Sequence, residues 1–234
     1  MKSIPLILSQ KHPCSYLDNH QAQSLFVHPA YQLTPFVYAR LMTQGFRRSG
    51  DHVYSPHCQH CSACIPIRLA VTNFKHTRNQ KRCLGKNINT KAIIKQPVFE
   101  QAHYDMYLRY QTARHNDGEM ANASPENYLK FLGSSWCNTV FVEFSINNEL
   151  AGIAIIDQFD QAWSAVYTFF EPRFSNYSLG VYAVLWQIEE VKQQQKEFLY
   201  LGFWIKDCQK MAYKSNYQPF QLLIDAEWVE ITTV

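Results

Sequence analysis

The stretch from residue 139 to 170 does most to fix the fold. Thr139–Ile146, Leu150–Gln158 and Ala162–Phe170 are three strand-length runs of apolar, β-branched and aromatic residues, separated by short polar breaks. Such runs predict strands. Asn147-Asn148 in the first break is a tight hairpin signal, because Asn tolerates the left-handed backbone of a two-residue turn. Together they predict an antiparallel meander. Leu179–Gln195 then predicts a helix with Val181, Val184, Leu185, Ile188 and Val191 on one face. Phe198–Phe203 reads as a strand, Gln209–Ser215 as a helical turn or more, and Phe220–Ile224 as a last strand. Strands, helix, strand, helix and strand in that order describe an α+β layer.

The first half reads differently. Residues 1–33 carry Pro5, Pro13 and Pro29 and predict irregular chain. Thr34-Pro35 opens a helix that runs to Gln44 and stops at Gly45. Residues 46–64 read as a loop, Ile65–Phe74 as a strand and His76–Asn87 as a basic helix. Phe99–Arg114 has helical spacing, and Ser124-Pro125-Glu126 starts a further helix. The expected division is a small N-terminal basic, Cys-containing region over residues 1–95 and an acyl-transfer domain over residues 96–234. The second has the element order of a GNAT-type acyltransferase core, whose helix start faces the acyl donor. An acetyl-CoA enzyme needs a Gly-rich turn there, with backbone N–H groups holding the pyrophosphate. Here the turn is Ser175-Asn176-Tyr177-Ser178-Leu179-Gly180-Val181-Tyr182, with one Gly flanked by bulky residues. The expected acyl carrier is therefore not CoA.

Of the 234 residues 47% are hydrophobic and 18% charged, which excludes wholesale disorder. No apolar run is long enough to span a membrane, and no secretory signal is expected. The net charge of +3 is unevenly spread. Residues 40–91 hold ten Lys/Arg and one acid, a net +9; the rest hold twelve basic and eighteen acidic groups, a net −6. A basic block of this kind suits a polyanion, and equally a solvated basic face.

Seven cysteines, an odd number, fit a reducing cytoplasm better than a disulfide framework. Three of them form Cys58-x2-Cys61-x2-Cys64, a spacing that lets thiolates converge on one ion. Cys14 is the candidate fourth ligand, with His57 or His60 as substitutes. The set suits zinc or an iron–sulfur cluster, although the Pro that commonly follows a fourth cluster Cys is missing. The alternative is a packing corner of reduced thiols. Cys83, Cys137 and Cys208 stand alone and read as small buried apolar residues.

Several separated motifs carry a resemblance. They are Gly45-Phe46-Arg47-Arg48-Ser49-Gly50, then Cys58, Cys61 and Cys64-Ile65-Pro66, then Arg114-His115 and Asp117-Gly118-Glu119-Met120. Further on come Ser164-Ala165-Val166-Tyr167-Thr168-Phe169-Phe170-Glu171-Pro172, Tyr200-Leu201-Gly202-Phe203-Trp204-Ile205 and Lys210-Met211 with Tyr213-Lys214. From Cys14 to Trp228 the chain resembles the bacterial branch of the aminoacyl-tRNA–protein transferases, the aspartate/glutamate leucyltransferases of the N-end rule. The resemblance implies transfer of leucine from leucyl-tRNA to the α-amine of proteins beginning with Asp or Glu. Eukaryotic relatives transfer arginine, and no residue here displays the amino-acid pocket, so the arginyl donor stays open. Two competing readings are a metal-stabilised nucleic-acid binding protein without catalysis, which leaves the C-terminal motifs unexplained, and a GNAT acetyltransferase, which lacks its pyrophosphate turn.

On the transferase reading the basic helix, with Arg78, Lys81, Arg82 and Lys86, meets tRNA phosphates. Arg47, Arg48, Arg114 and Lys214 are the candidate cations for the acceptor's carboxylate, and His115 is a pocket group or a satisfied polar residue. Asp157 or Asp117 would hold the ammonium or take its proton. Tyr167 and Ser164 are three apart in a strand, which predicts opposite faces, and Tyr167 is the expected cleft residue. No nucleophile triad is visible, so the amine is expected to attack directly, with no cofactor required for the chemistry.

Overall fold

A computed structural model describes residues 3–114 and 123–232. The N-terminal segment is not irregular as expected. It contains β1 (Leu6–Leu8), β2 (His12–Pro13), β3 (Gln21–Ala22) and β4 (Ser24–Val27). After α1 (Pro35–Thr43), capped by Thr34 Oγ1 accepting from the Val37 N–H, come β5 (Arg47–Ser49) and β6 (His52–Pro56) in place of the expected loop. These strands have two to five residues each and little local alternation. They are too short for periodicity to reveal them, and two of the pairings, β1 with β4 and β4 with β6, join segments distant in sequence.

Next are β7 (Ile65–Ala70), α2 (Arg78–Lys86), β8 (Lys91–Lys95), α3 (Gln101–Arg114) and α4 (Pro125–Leu132). β7 is shorter than expected, because Val71–Asn73 turns into a 3-10 helix. A reciprocal cap between Thr77 and Gln80 starts α2 two residues later than expected. The meander is present as β9 (Thr139–Ile146), β10 (Glu149–Gln158) and β11 (Ala162–Phe170). Asn147 and Asn148 both have positive φ, 52° and 64°, as the hairpin signal predicts. Then follow α5 (Leu179–Gln193), β12 (Phe198–Trp204), α6 (Gln209–Ala212), β13 (Phe220–Ile224) and the unforeseen β14 (Glu227–Ile231).

β1-β4-β6-β5 make a four-stranded sheet, and β14-β13-β7-β12-β11-β10-β9-β8 an eight-stranded one. The class is α+β around one large mixed sheet, and β7 and β8 bring the first 95 residues into it. One face carries α2 and α5, with Ile188 of α5 packed over Leu69, Ile156 and Trp163 of the sheet, all fully buried. The other is covered in two places. α3 and α4 pack on Phe141, Ile153, Ile155 and Phe169. Beside them, α1 and the small sheet pack Tyr38, Met42 and Val53 near Tyr200. No helix among the described residues is long and apolar enough to cross a membrane.

Candidate active site

The two central parallel strands come apart. β11 and β12 pair only at Ala162–Phe198, Trp163–Leu199 and Ser164–Tyr200. Beyond Ser164 the two strands diverge, and residues 165–168 stay half-buried at the edge of the opening. Arg47 sits at its apex. Its Nη1 donates to Ser164 Oγ at 2.8 Å and its Nη2 to the Ala165 carbonyl at 2.6 Å. The guanidinium lies over Gly202, where φ is +86° and an added Cβ would stand 3.4 Å from Arg47 Nε. In the sequence Gly202 stands inside the strand Phe198–Phe203 and within one of the family motifs, and a glycine inside a strand marks close backbone approach.

Lys214 is buried nearby. Its Nζ donates to the Phe203 carbonyl at 2.6 Å, and burial, reinforced by the Arg47 charge, brings its pKa down to about 7. Among the described residues neither Arg47 nor Lys214 has a carboxylate partner. A buried guanidinium without an anion, beside an amine whose charge burial disfavours, is costly in isolation, and an incoming carboxylate favours the charged form of both.

Arg48 is engaged differently. Its Nε and Nη2 meet Asp157 Oδ2 and Oδ1 at 2.7 and 2.6 Å. The remaining N–H groups reach the carbonyls of Gly50, Leu132 and Gly133 and the Thr139 hydroxyl. Burial opposes the Arg48 charge, but the Asp157 hydrogen bonds and charge outweigh it and hold the pKa above its ordinary value. Thr139 Oγ1 also donates to Asp157 Oδ1 at 2.8 Å. Neither Arg48 nor Asp157 has a side-chain atom exposed. The adjacent arginines are therefore placed apart, as expected for alternate strand positions.

Ser164 and Tyr167 share one face, contrary to the period-two expectation. Ser164 pairs with Asp157 and Tyr167 with Ile155, two residues apart on β10, and the register shifts between Ile155 and Ile156. Val166 is the extra residue of a β-bulge, which restores a spacing of three to the same side. Tyr167 Oη accepts from Gln111 Nε2 at 2.9 Å, a partner that helical spacing alone did not single out. Arg114 stands over the Phe170 ring at 5.7 Å. His115 and Asp117 lie outside the described residues. Trp204 is buried and donates to the Ala212 carbonyl, the core reading of that residue.

The basic helix packs against α5. Arg78, Lys81, Arg82 and Lys86 are exposed on α2. Lys86 Nζ donates to the Asn176 carbonyl at 3.3 Å and Asn87 Nδ2 to that of Tyr177 at 2.8 Å. α2 is thus pinned to the turn that leads into α5.

Cys14, Cys58, Cys61 and Cys64 line one cavity of 220 Å³ with Tyr16, Tyr54 and Phe203. Burial first, then the neighbouring sulfurs, pushes the Cys64 thiol up to about 12. Cys208, which reads from sequence as isolated, lies near enough to contribute. Among the described residues, the one group of three donors within 4.8 Å of each other is Glu100, His103 and Glu143. The Lys95 ammonium already fills it, at 3.1 Å from Glu100 and 2.5 Å from Glu143. No three of the four cysteine sulfurs lie within 4.8 Å of one another, whereas a zinc tetrahedron with Zn–S of about 2.3 Å has S–S of about 3.8 Å.

Residues 102–224 match the profile of the arginine-tRNA-protein transferase C terminus and residues 12–82 that of its N terminus, so the chain belongs to that family. Within it, the chain is 43% identical over 230 residues to an aspartate/glutamate leucyltransferase of Saccharophagus degradans, covering 98% of both chains. It is 44% identical to the Pseudomonas aeruginosa PAO1 protein of the same name, over 96% of this chain and 95% of that one. The Hahella chejuensis protein of that name is 40% identical over 99% of both.

Proposed function

We propose that this chain transfers leucine from leucyl-tRNA to the α-amine of proteins that begin with Asp or Glu, the activity its relatives are named for. The observation that carries the acceptor half is the pair of buried, carboxylate-free cations, Arg47 and Lys214, at the apex of the β11–β12 opening. An Asp or Glu side chain supplies the missing anion, and Arg47 still has N–H groups beyond the two it uses. Arg48 has none to spare, so it serves the apex by holding β5 against β10. Arg114, at the end of α3, is a further cation on the acceptor side, and His115 follows it in the chain.

The donor half uses α2. In a GNAT-type core the start of α5 faces the acyl carrier, and here that start is flanked by Arg78, Lys81, Arg82 and Lys86. Phosphates of the tRNA acceptor arm bind them, displacing counterions. The neutral α-amine, with pKa near about 7.7–8.0, attacks the ester carbonyl. The C–N bond forms, the bond to the ribose oxygen breaks, and the amine's proton passes to that oxygen. Positioning and oxyanion stabilisation supply the acceleration. Asp157 has its carboxylate committed to Arg48 and Thr139, which leaves Asp117 as the carboxylate for the incoming ammonium. Such a reaction belongs in the cytoplasm, where aminoacyl-tRNA is made.

The four cysteines fit a soft cation, and their wide spacing around a cavity suits an iron–sulfur cluster better than zinc. Cys14, Cys58, Cys61 and Cys64 would hold it, tying the β2–β3 ribbon to the segment before β7. The transfer step itself takes nothing from it. Metal analysis and the absorption spectrum of anaerobically purified protein distinguish cluster, zinc and free thiols.

The deciding assay offers radiolabelled leucyl-tRNA with peptides beginning in Asp, Glu or Ala. Label on the Asp and Glu peptides alone is the expected result. No transfer with tRNA binding intact would leave a nucleic-acid binding protein, and label from arginyl-tRNA would change the donor.

A further inference from the structure

We infer that Gln111 is a positioning residue: its amide donates to Tyr167 Oη and so commits the Tyr167 hydroxyl hydrogen to the cleft, where it meets the leucyl carbonyl oxygen as that oxygen turns negative. The inference rests on the leucyl-transfer reading above.

Gln111 lies in the last turn of α3 and is 2% exposed. Its helix face carries Met106 and Tyr107, which pack with Phe141, Ile153 and Phe169. A leucine would fill such a place without the cost of burying an amide. The amide is retained against that cost, and its hydrogen bond runs to Tyr167 at 2.9 Å. A phenol has one hydrogen and accepts through its lone pairs. Once Tyr167 Oη accepts from Gln111, its own O–H points elsewhere.

The Tyr167 ring has little freedom. Phe131 meets it edge-on with centroids 5.6 Å apart, and Tyr107 lies at 6.4 Å. The bulge at Val166 turns Tyr167 onto the face of Ser164, which holds the Arg47 guanidinium. The half-buried segment that carries it borders the opening. Burial pushes the phenol pKa up, so Tyr167 keeps its proton and acts as a neutral donor. As the amine attacks, the carbonyl π electrons move to oxygen, and the Tyr167 O–H hydrogen-bonds that oxygen without transferring its proton. Collapse then expels the ribose oxygen. Gln111 touches no reacting atom and acts through Tyr167.

The test combines leucyl-transfer kinetics with the fluorine resonance of 3-fluorotyrosine placed at position 167, in the full-length chain. Gln111→Glu offers an acceptor and draws the phenol hydrogen away from the cleft. It should cut kcat by about 100-fold, the scale of one oxyanion donor, and leave KM for leucyl-tRNA and an Asp peptide within about twofold. Gln111→Met only frees the rotor and should lose about tenfold. Tyr167→Phe should match Gln111→Glu, and the double variant should lose no more than Tyr167→Phe alone. The fluorine resonance should move in both Gln111 variants. Wild-type kcat in Gln111→Glu, or a loss that multiplies with that of Tyr167→Phe, would overturn the inference. If Gln111→Glu fails to fold, Gln111→Met carries the kinetic comparison. A wild-type chain that transfers no leucine overturns the reaction and the oxyanion role with it; the fluorine resonance then still decides whether Gln111 and Tyr167 are bonded.

Discussion

Arg48 and Asp157 face each other as a fork on a fork, Nε to Oδ2 at 2.7 Å and Nη2 to Oδ1 at 2.6 Å, with both side chains wholly out of water. The pair joins the β5–β6 hairpin to the end of β10, and Arg47, the next residue back, is thereby aimed at the β11–β12 opening. Asp157→Ala leaves a buried guanidinium without its counter-charge. That should cost about 3–5 kcal/mol of stability. A urea midpoint close to the wild-type value would contradict the structural role given to this pair.

Arg47→Lys keeps the charge but loses the planar fork that bridges Ser164 and Ala165. Truncating a buried, hydrogen-bonded ion partner costs about 2–5 kcal/mol, so kcat/KM for Asp and Glu peptides should fall at least about 30-fold in Arg47→Ala. Arg47→Lys should lie between that variant and wild type. Leucyl-tRNA affinity should be unchanged, and an equal loss of tRNA binding would move Arg47 to the donor side.

Gly202→Ala tests the same apex from β12. A left-handed φ of +86° costs a residue with a Cβ about 1–2 kcal/mol. The new methyl also meets the Arg47 guanidinium at 3.4 Å. Lower thermal stability should therefore come with a raised KM for the acidic acceptor. A purely thermal effect would mean that Arg47 tolerates the methyl in place.

Lys214 gives stability a pH dependence with a definite sign. Its folded pKa is brought down to about 7 by burial, whereas an unfolded lysine titrates near about 10.4. Between those values the unfolded chain binds more protons than the native one, so this group makes stability rise with pH. Below about pH 7 both states hold the proton, and the cost of the buried ammonium is fully present. Lys214→Met should thus gain most over wild type near about pH 6 and lose that advantage toward about pH 10. Urea midpoints across that range read it directly, and a pH-independent difference would refute it.

The exposed face of α2 should behave as a phosphate-binding surface. Replacing Arg78, Lys81, Arg82 and Lys86 together by Ala should weaken tRNA binding. It should also flatten the plot of log K against log salt, by about 0.7–0.9 for each phosphate contact removed. These side chains are exposed, so the fold should survive. An unchanged salt slope would place the tRNA elsewhere.

The sequence alone determined the elements that carry their own signals. The three runs of β9, β10 and β11, the Asn147-Asn148 turn, the Thr34 cap and the amphipathic α5 are each encoded within a few residues, by periodicity, a left-handed-tolerant pair or a hydroxyl before a proline. The family motifs were equally legible, since they are strings of residue types. Tertiary structure decided the rest. β5 reads Arg-Arg-Ser, with no apolar alternation to mark it as a strand; it pairs with β6 in a short hairpin, and Arg48 fixes that hairpin to Asp157 at a separation of 109 residues. β8 forms one edge of the sheet beside β9, and β14 forms the other in a tight hairpin with β13. The face of Tyr167 depends on one extra residue at Val166, which pattern counting cannot see because a bulge is set by the partner strand. Composition placed a basic block beside an acidic remainder. Only the fold separated that block into three buried arginines, Arg48 paired with a carboxylate and Arg47 and Arg68 not, and an exposed helix pinned at the start of α5.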